Sequence, residues 1–326
     1  EITFMEPQAG GACRAGNIYN LLQRVLYRMA EQGQTEYAQI PVISLNLMGE
    51  EKHTGFRITP GLLSGGIAAG CYGDLIMCLY QQVKPYEQNP GETDRIRSQV
   101  EKKLCESIRR HRNGRHTREK NYRYACEVFS KVPVKPGKKK RVGITGEIYM
   151  KYSKLGNDDI ESFLLRQGME PYSGGFVNYC LYLVDTERYK AEKYQRNPIM
   201  AKACAFVLHR LCEAQKHLLT VIGETDRFQT DLPFPELKEK VQGILAEGCN
   251  TGDGWLIAAE VIQYVEKGCG SVLILHPFGC LVSHVCERGI LQRLHARFPD
   301  VSIQTIEYDY DQSKTLRESR ILLGIS

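Results

Sequence analysis

The run Ser271-Val272-Leu273-Ile274-Leu275 reads as a buried strand, and it leads straight into His276-Pro277-Phe278-Gly279-Cys280 and an amphipathic pattern from Leu281 to Phe298. Strand, loop and helix in that order point to an α/β sheet and put the Cys280 thiol at its mouth. Ligands of open α/β sheets bind outside the carboxyl ends of the strands, and a helix N-terminus lowers a thiol's pKa toward the thiolate that metals and electrophiles need. Cys13 has a similar setting, because Gly10-Gly11-Ala12-Cys13-Arg14-Ala15-Gly16 leads into a helical pattern from Asn17 to Gln32. Two thiols at two loop-to-helix junctions suggest one shared site.

The rest of the chain fits an α/β reading. Strand patterns fall at Ile2–Phe4, Pro41–Leu47, Val142–Tyr149, Ser271–Leu275 and Val301–Glu307. Helical patterns fall at Asn17–Gln32, Pro60–Gln82, Thr93–Asn113, Asp158–Gln167, Ile199–Leu219, Pro235–Ala246, Gly254–Lys267, Leu281–Phe298 and Ser313–Leu323. Alternating strands and helices predict a parallel, doubly wound sheet. With 326 residues the chain has room for two α/β domains. The stretch Ser130–Gly137, with two prolines and a glycine before four basic residues, breaks regular structure and sets the expected boundary. The expected domains are 1–136, with the Cys13 loop and a basic helical segment, and 137–326, with the Cys280 loop.

The net charge of +5 is unevenly spread: Lys102 to Arg141 holds 15 basic residues against 3 acidic ones, leaving 28 against 35 elsewhere. Such a segment is either a solvated helix face and linker or a footprint for an anion, such as the phosphates of coenzyme A. Nucleic acid is not favoured, since no zinc finger, aromatic RNA-binding signature or recognition helix accompanies the charge. Twelve cysteines without a short secreted framework or signal peptide suggest a reducing, cytoplasmic setting. Glu1 in place of Met suggests a piece of a longer chain whose upstream segments share the fold. The apolar stretch from Gly61 to Tyr80, interrupted by Ser64 and Asp74, reads as short of a membrane span of about 20 residues.

Absences narrow the chemistry. There is no G-x-x-x-x-G-K-[ST] phosphate loop, no G-x-G-x-x-G turn at Gly143-Ile144-Thr145-Gly146 and no G-x-S-x-G elbow. Without C-x-x-C pairs, a metal site must gather ligands from separate loops. Cys71 and Cys78, seven apart on one helical face, read as core fillers, as do Cys105, Cys126, Cys180, Cys204, Cys212, Cys269 and Cys286 in or beside apolar-periodic segments. Cys249 stands apart, in the glycine-rich approach Gly248-Cys249-Asn250-Thr251-Gly252-Asp253-Gly254. There Thr251 or Asp253 can cap the next helix, and Gly254 lets backbone and a bound anion or cluster come close.

Taken in order, Gly10–Asn17, Ile40–Asn46, Tyr72–Leu75, Lys84–Glu87, Val142–Tyr149, Gly252–Trp255 and Pro277–Leu281 resemble the carboxy-terminal part of the large acyl-CoA dehydratase activase-related proteins, relatives of the 2-hydroxyacyl-CoA dehydratase subunits. The resemblance implies stacked flavodoxin-like or Rossmann-like α/β domains around an oxygen-sensitive iron–sulfur cluster, of the 4Fe–4S type. Cys13 and Cys280 match the cysteines that these motifs place at the cluster, and further ligands are expected upstream. Two positions depart from the pattern: Val282-Ser283 replaces Pro-Asn, and Cys249 stands where relatives carry His. The implied activity is low-potential electron transfer coupled to dehydration of a 2-hydroxyacyl-CoA, in which one electron turns the thioester into a ketyl radical. ATP hydrolysis then belongs to a separate activase domain or chain. Glu147 and His284 are the candidates for contacts to substrate or to the metal ligands. The competing expectations are a scaffold of the same fold without a cluster and a metal-free thiol-transfer protein.

Overall fold

A computed structural model describes residues 3–7, 13–45, 59–194 and 197–325. By its internal contacts the chain forms two compact units, 1–59 and 60–326. The expected boundary at 130–137 therefore lies inside the second unit, because the helices before it share one hydrophobic cluster with the sheet that follows it.

The first unit is a β-α-β element. Strand β1 (Phe4–Pro7) pairs in parallel with β2 (Val42–Leu45), Phe4 opposite Val42, and α1 (Ile18–Glu31) lies between them in sequence. The expected start of the first strand at Ile2, the end of the second at Asn46 and Leu47, and Gly10 to Ala12 of the glycine loop lie outside the described residues.

The second unit begins with α2 (Pro60–Val83), α3 (Glu92–Arg109) and α4 (Arg115–Ser130). It continues through β3 (Arg141–Gly146), α5 (Ile148–Tyr152), α6 (Ile160–Arg166), β4 (Glu170–Tyr172), α7 (Phe176–Lys193), α8 (Pro198–Gly223), α9 (Phe234–Glu239) and α10 (Gly254–Glu266). Strand β5 (Ser271–Pro277), a helical run ending in α11 (Arg288–Arg297), β6 (Ser302–Tyr308) and α12 (Lys314–Ile325) complete it. Its four strands form an all-parallel sheet in the order β4-β3-β5-β6. Counted from β3, that is 2-1-3-4, the arrangement of flavodoxin-type sheets, and the order reverses between β3 and β5.

Successive residues of β5 feed opposite faces, as strand geometry requires. Val272 and Ile274 join the cluster containing Leu75, Tyr122, Leu181 and Trp255, whereas Leu273 and Leu275 join Val142, Ile144, Phe163, Ile306 and Ile321. Both faces are thus covered, and the continuous apolar run is explained. The structure accordingly has a parallel sheet covered on both faces; two stacked domains of this kind are not seen among the described residues.

Three elements differ from their sequence patterns for identifiable reasons. Strand β3 stops at Gly146, whose φ of 131° and approach to the Leu275 carbonyl leave no room for a side chain; a Cβ there would lie 2.0 Å from that oxygen. The expected strand to Tyr149 therefore turns into α5. The strand β4 escaped notice because it is three residues long and contains Pro171, tolerated at a sheet edge. Helix α7 has its cap far away in sequence: Asp74 Oδ1 and Oδ2 on α2 accept from the Phe176 and Val177 amides at 2.7 and 2.9 Å.

The stretch read as too short for a membrane span is in fact long and apolar enough for one, as helix Gly61–Tyr86 with mean hydropathy 1.5. Among its residues, Ala68, Cys71, Leu75, Leu79 and Val83 are fully buried in the protein's own core.

Candidate active site at the sheet's carboxyl edge

In sheets of this kind ligands bind outside the carboxyl ends of the strands where their order reverses, here β3 and β5, and several chemistry-bearing residues follow those strands. Glu147 follows β3, while His276 ends β5 and Cys280 follows it. The loop 249–254 reaches the same edge through Gly252, where a Cβ would meet the Val282 side chain at 2.7 Å. Gly254 brings the chain so close that an added Cβ would sit 2.1 Å from the Cys249 carbonyl and 2.5 Å from the Tyr182 hydroxyl. Its role is this close backbone approach. Trp255 N–H closes the turn on the Cys249 carbonyl at 2.9 Å, and Asp253, at the N-cap of α10, makes no side-chain capping bond.

Three cysteines stand within electrostatic reach of one another here. Burial pushes the Cys286 thiol above its ordinary value, and the neighbouring Cys249, Glu287 and Cys280 push it further. Cys280 is also raised, first by burial and then by Glu287 and Glu147, while a hydrogen bond from the Ser283 amide and contact with its hydroxyl pull the other way. The thiolate-favouring effect expected of the helix start is therefore outweighed by desolvation and by nearby carboxylates. Cys286, taken from its sequence context for a core filler, is a half-buried member of the group. The one signal available was its place six residues after Cys280, early in the helical pattern that begins at Leu281. Cys105, also read as core, is exposed.

The helix carrying these residues is irregular. Between Ser283 and Glu287 it widens into a π turn, a feature that concentrates at functional sites. Ser283 Oγ donates to Glu287 Oε1 at 2.7 Å. His284, about a third exposed, has Nδ1 2.7 Å from the Cys280 carbonyl oxygen and Nε2 3.4 Å from Glu307 Oε2. Glu147 accepts from the Met150 amide at 3.1 Å and caps α5, and its acidity is weakened by burial and by Glu287.

The second unit also holds a buried ion pair, Lys151 Nζ to Glu260 Oε1 and Oε2 at 2.7 and 2.9 Å, joined by Thr145 Oγ1 at 2.5 Å. Asp253 is driven well above the carboxylate range by burial and by Glu147, Glu287 and Glu260; Lys151 opposes this, but its ammonium is already paired. The site thus holds thiols and carboxyls whose ionisation is suppressed first by burial and then by neighbouring acidic groups.

Cys13 stands in the first unit, exposed, where its carbonyl accepts from the Gly16 amide at 3.1 Å just before a short 3-10 turn over Arg14–Asn17. The basic segment is largely engaged in the protein's own contacts. Arg110, Arg123 and Lys131 pair with Glu106, Glu119 and Glu127 one helical turn away. Lys140 Nζ donates to the Ile325 carbonyl at 2.6 Å, and Arg141 pairs with buried Glu170 at 2.7 Å.

No protein-family model, curated protein or solved structure matches the chain. The functional reading rests on the chemistry of this edge.

Proposed function

We propose that the second unit is an iron–sulfur-binding module of the 2-hydroxyacyl-CoA dehydratase and activase kind, relaying a low-potential electron into acyl-CoA dehydration while ATP is hydrolysed by a separate domain or chain. The reading is supported by the placement of Cys249 in the loop that packs through Gly252 on Val282, and of Cys280 and Cys286 before and within the helical run after β5, close enough for each to raise the Cys286 thiol. The donor set fits a metal–sulfur group. Thiols whose deprotonation is disfavoured by burial and by neighbouring acidic groups give up their protons only to a metal, whose charge would offset that penalty. A bound cluster supplies one strongly reducing electron.

The chain's own residues do the rest. The Ser283 amide donates to the Cys280 sulfur, an interaction of the kind that tunes cluster potentials. Burial of Cys280, Asp253 and Glu287 limits water at the thiols. Glu147, protonated more readily than an ordinary carboxyl, stands at the same edge to hold or pass a proton to a substrate oxygen.

The test is iron and acid-labile sulfide content, with an absorption spectrum, after anaerobic reconstitution. Near-equal iron and sulfide, lost in Cys280→Ser and Cys286→Ser, is the expected result, and Cys13→Ser reports whether the first unit contributes a ligand. A colourless protein without iron, whose variants behave like the parent, would favour the scaffold reading instead.

A further inference from the structure

His276 is fully buried, yet it lacks the hydrogen bonds of a settled core histidine. Its Nδ1 lies 3.3 Å from Glu287 Oε2, out of line for a hydrogen bond, and neither buried atom has another partner. Its Nε2 lies 3.4 Å from Glu307 Oε2, and His284 Nε2 lies 3.4 Å from the same oxygen. A carbonyl oxygen only accepts, so the 2.7 Å contact between His284 Nδ1 and the Cys280 carbonyl keeps the proton on Nδ1 and leaves the lone pair on Nε2. Arg288 Nη2, which can only donate, lies 3.5 Å from His276 Nε2 and so places the His276 lone pair there and its proton on Nδ1, 3.3 Å from Glu287 Oε2.

Two lone-pair nitrogens therefore face one carboxylate oxygen, an arrangement that repels unless a cation lies among them. Arg288 fills that role, with Nη2 2.9 Å from Glu307 Oε2 and 3.5 Å from His276 Nε2, but its side chain is 44% exposed and free to swing outward. We infer that His276, His284 and Glu307 form a mononuclear site for a divalent ion of the zinc class, distinct from the thiol group, with Glu287 and the Cys280 carbonyl orienting the imidazoles and Arg288 as the cation that the metal displaces.

The spacing supports this. Ligands on a tetrahedral zinc ion, bonded at about 2.0–2.1 Å, stand about 3.4 Å apart. Both Nε2-to-Oε2 distances already have that value, and all three ligand atoms lie within 4.8 Å of one another. Imidazoles whose second nitrogen meets a carboxylate or a backbone carbonyl are the usual supports of such ions. Three protein ligands leave a fourth position for water or a substrate oxygen, the open arrangement of catalytic zinc sites.

The test uses Zn2+ alone, titrated against a chromogenic chelator into protein carrying Cys249→Ser, Cys280→Ser and Cys286→Ser, so that no thiol of the neighbouring group takes the metal. One equivalent is expected to bind, and the Co2+ form should lack a sulfur-to-metal charge-transfer band. Removing a ligand by His284→Ala or Glu307→Gln should weaken binding by more than the roughly 10–100-fold expected of Glu287→Gln, which removes an orienting group. Arg288→Ala should tighten binding, which a merely structural arginine would not do. Failure to bind one equivalent, or unchanged affinity in both ligand variants, whose folding is checked by circular dichroism, would overturn the assignment. Weaker binding in Arg288→Ala would overturn the displacement of that guanidinium.

Discussion

On α1 of the first unit, Leu26 is the buried side chain, while Ile18, Leu21, Val25 and Tyr27 are exposed. In the second unit, alternate residues of β5 fill two clusters, one on each face of the sheet. Both regions use parallel strands joined through helices, and both place a cysteine ahead of a helix. The difference lies in closure. A two-stranded parallel pair buries little, whereas four strands covered on both faces supply a core able to hold unfavourable groups, including a buried ion pair and suppressed carboxyls. The site chemistry therefore belongs to the region with stability to spare, since buried charge and unpaired polar atoms each destabilise the fold.

The largest expected contrast is in amide exchange. Amides of β5 should be protected at least about a thousandfold more than those of α1, because opening energies track buried contacts. Equal protection in native-state hydrogen exchange would break the comparison. Next comes Lys151→Met, which leaves Glu260 charged and unpaired in the interior and should cost about 3–5 kcal/mol in a urea titration of the second unit. A loss under about 1 kcal/mol would mean that the pair is not desolvated as described.

A smaller and sharper test concerns Asp74, which burial raises to about 7 although the Val177 and Phe176 amides pull it down. A carboxyl whose folded pKa lies above its unfolded one binds more protons when folded. Its contribution is fully present below about pH 4 and is lost as pH rises through about 7, with a limiting slope of about 1.4 kcal/mol per pH unit. Asp74→Asn should flatten this part of the profile of unfolding midpoint against pH and lower stability through loss of one capping acceptor, by about 1–3 kcal/mol. An unchanged slope would show that other carboxyls set it.

Elements with local signals were legible in the sequence. The apolar run of β5, the glycine that ends α10, and the Cys280 loop-to-helix junction all lie where their residues place them. Helix α7 was missed because its capping carboxylate comes from α2, about a hundred residues earlier. Glu147 fell at the expected edge but also serves as a local cap, and Thr251 and Asp253 make no side-chain capping bond on α10.

Alternation of apolar runs and amphipathic helices, a property of neighbouring residues, was enough to determine a parallel α/β fold. Which cysteines become neighbours was decided by packing, a long-range property: the loop of Cys249 lies against the helix after Cys280 through Gly252 and Val282. The pairing of His276 with Glu307 depends in the same way on register, because those residues are direct neighbours across β5 and β6. Spacing along the chain carries no trace of such a pair, since only hydrogen bonding between strands sets which residues stand side by side.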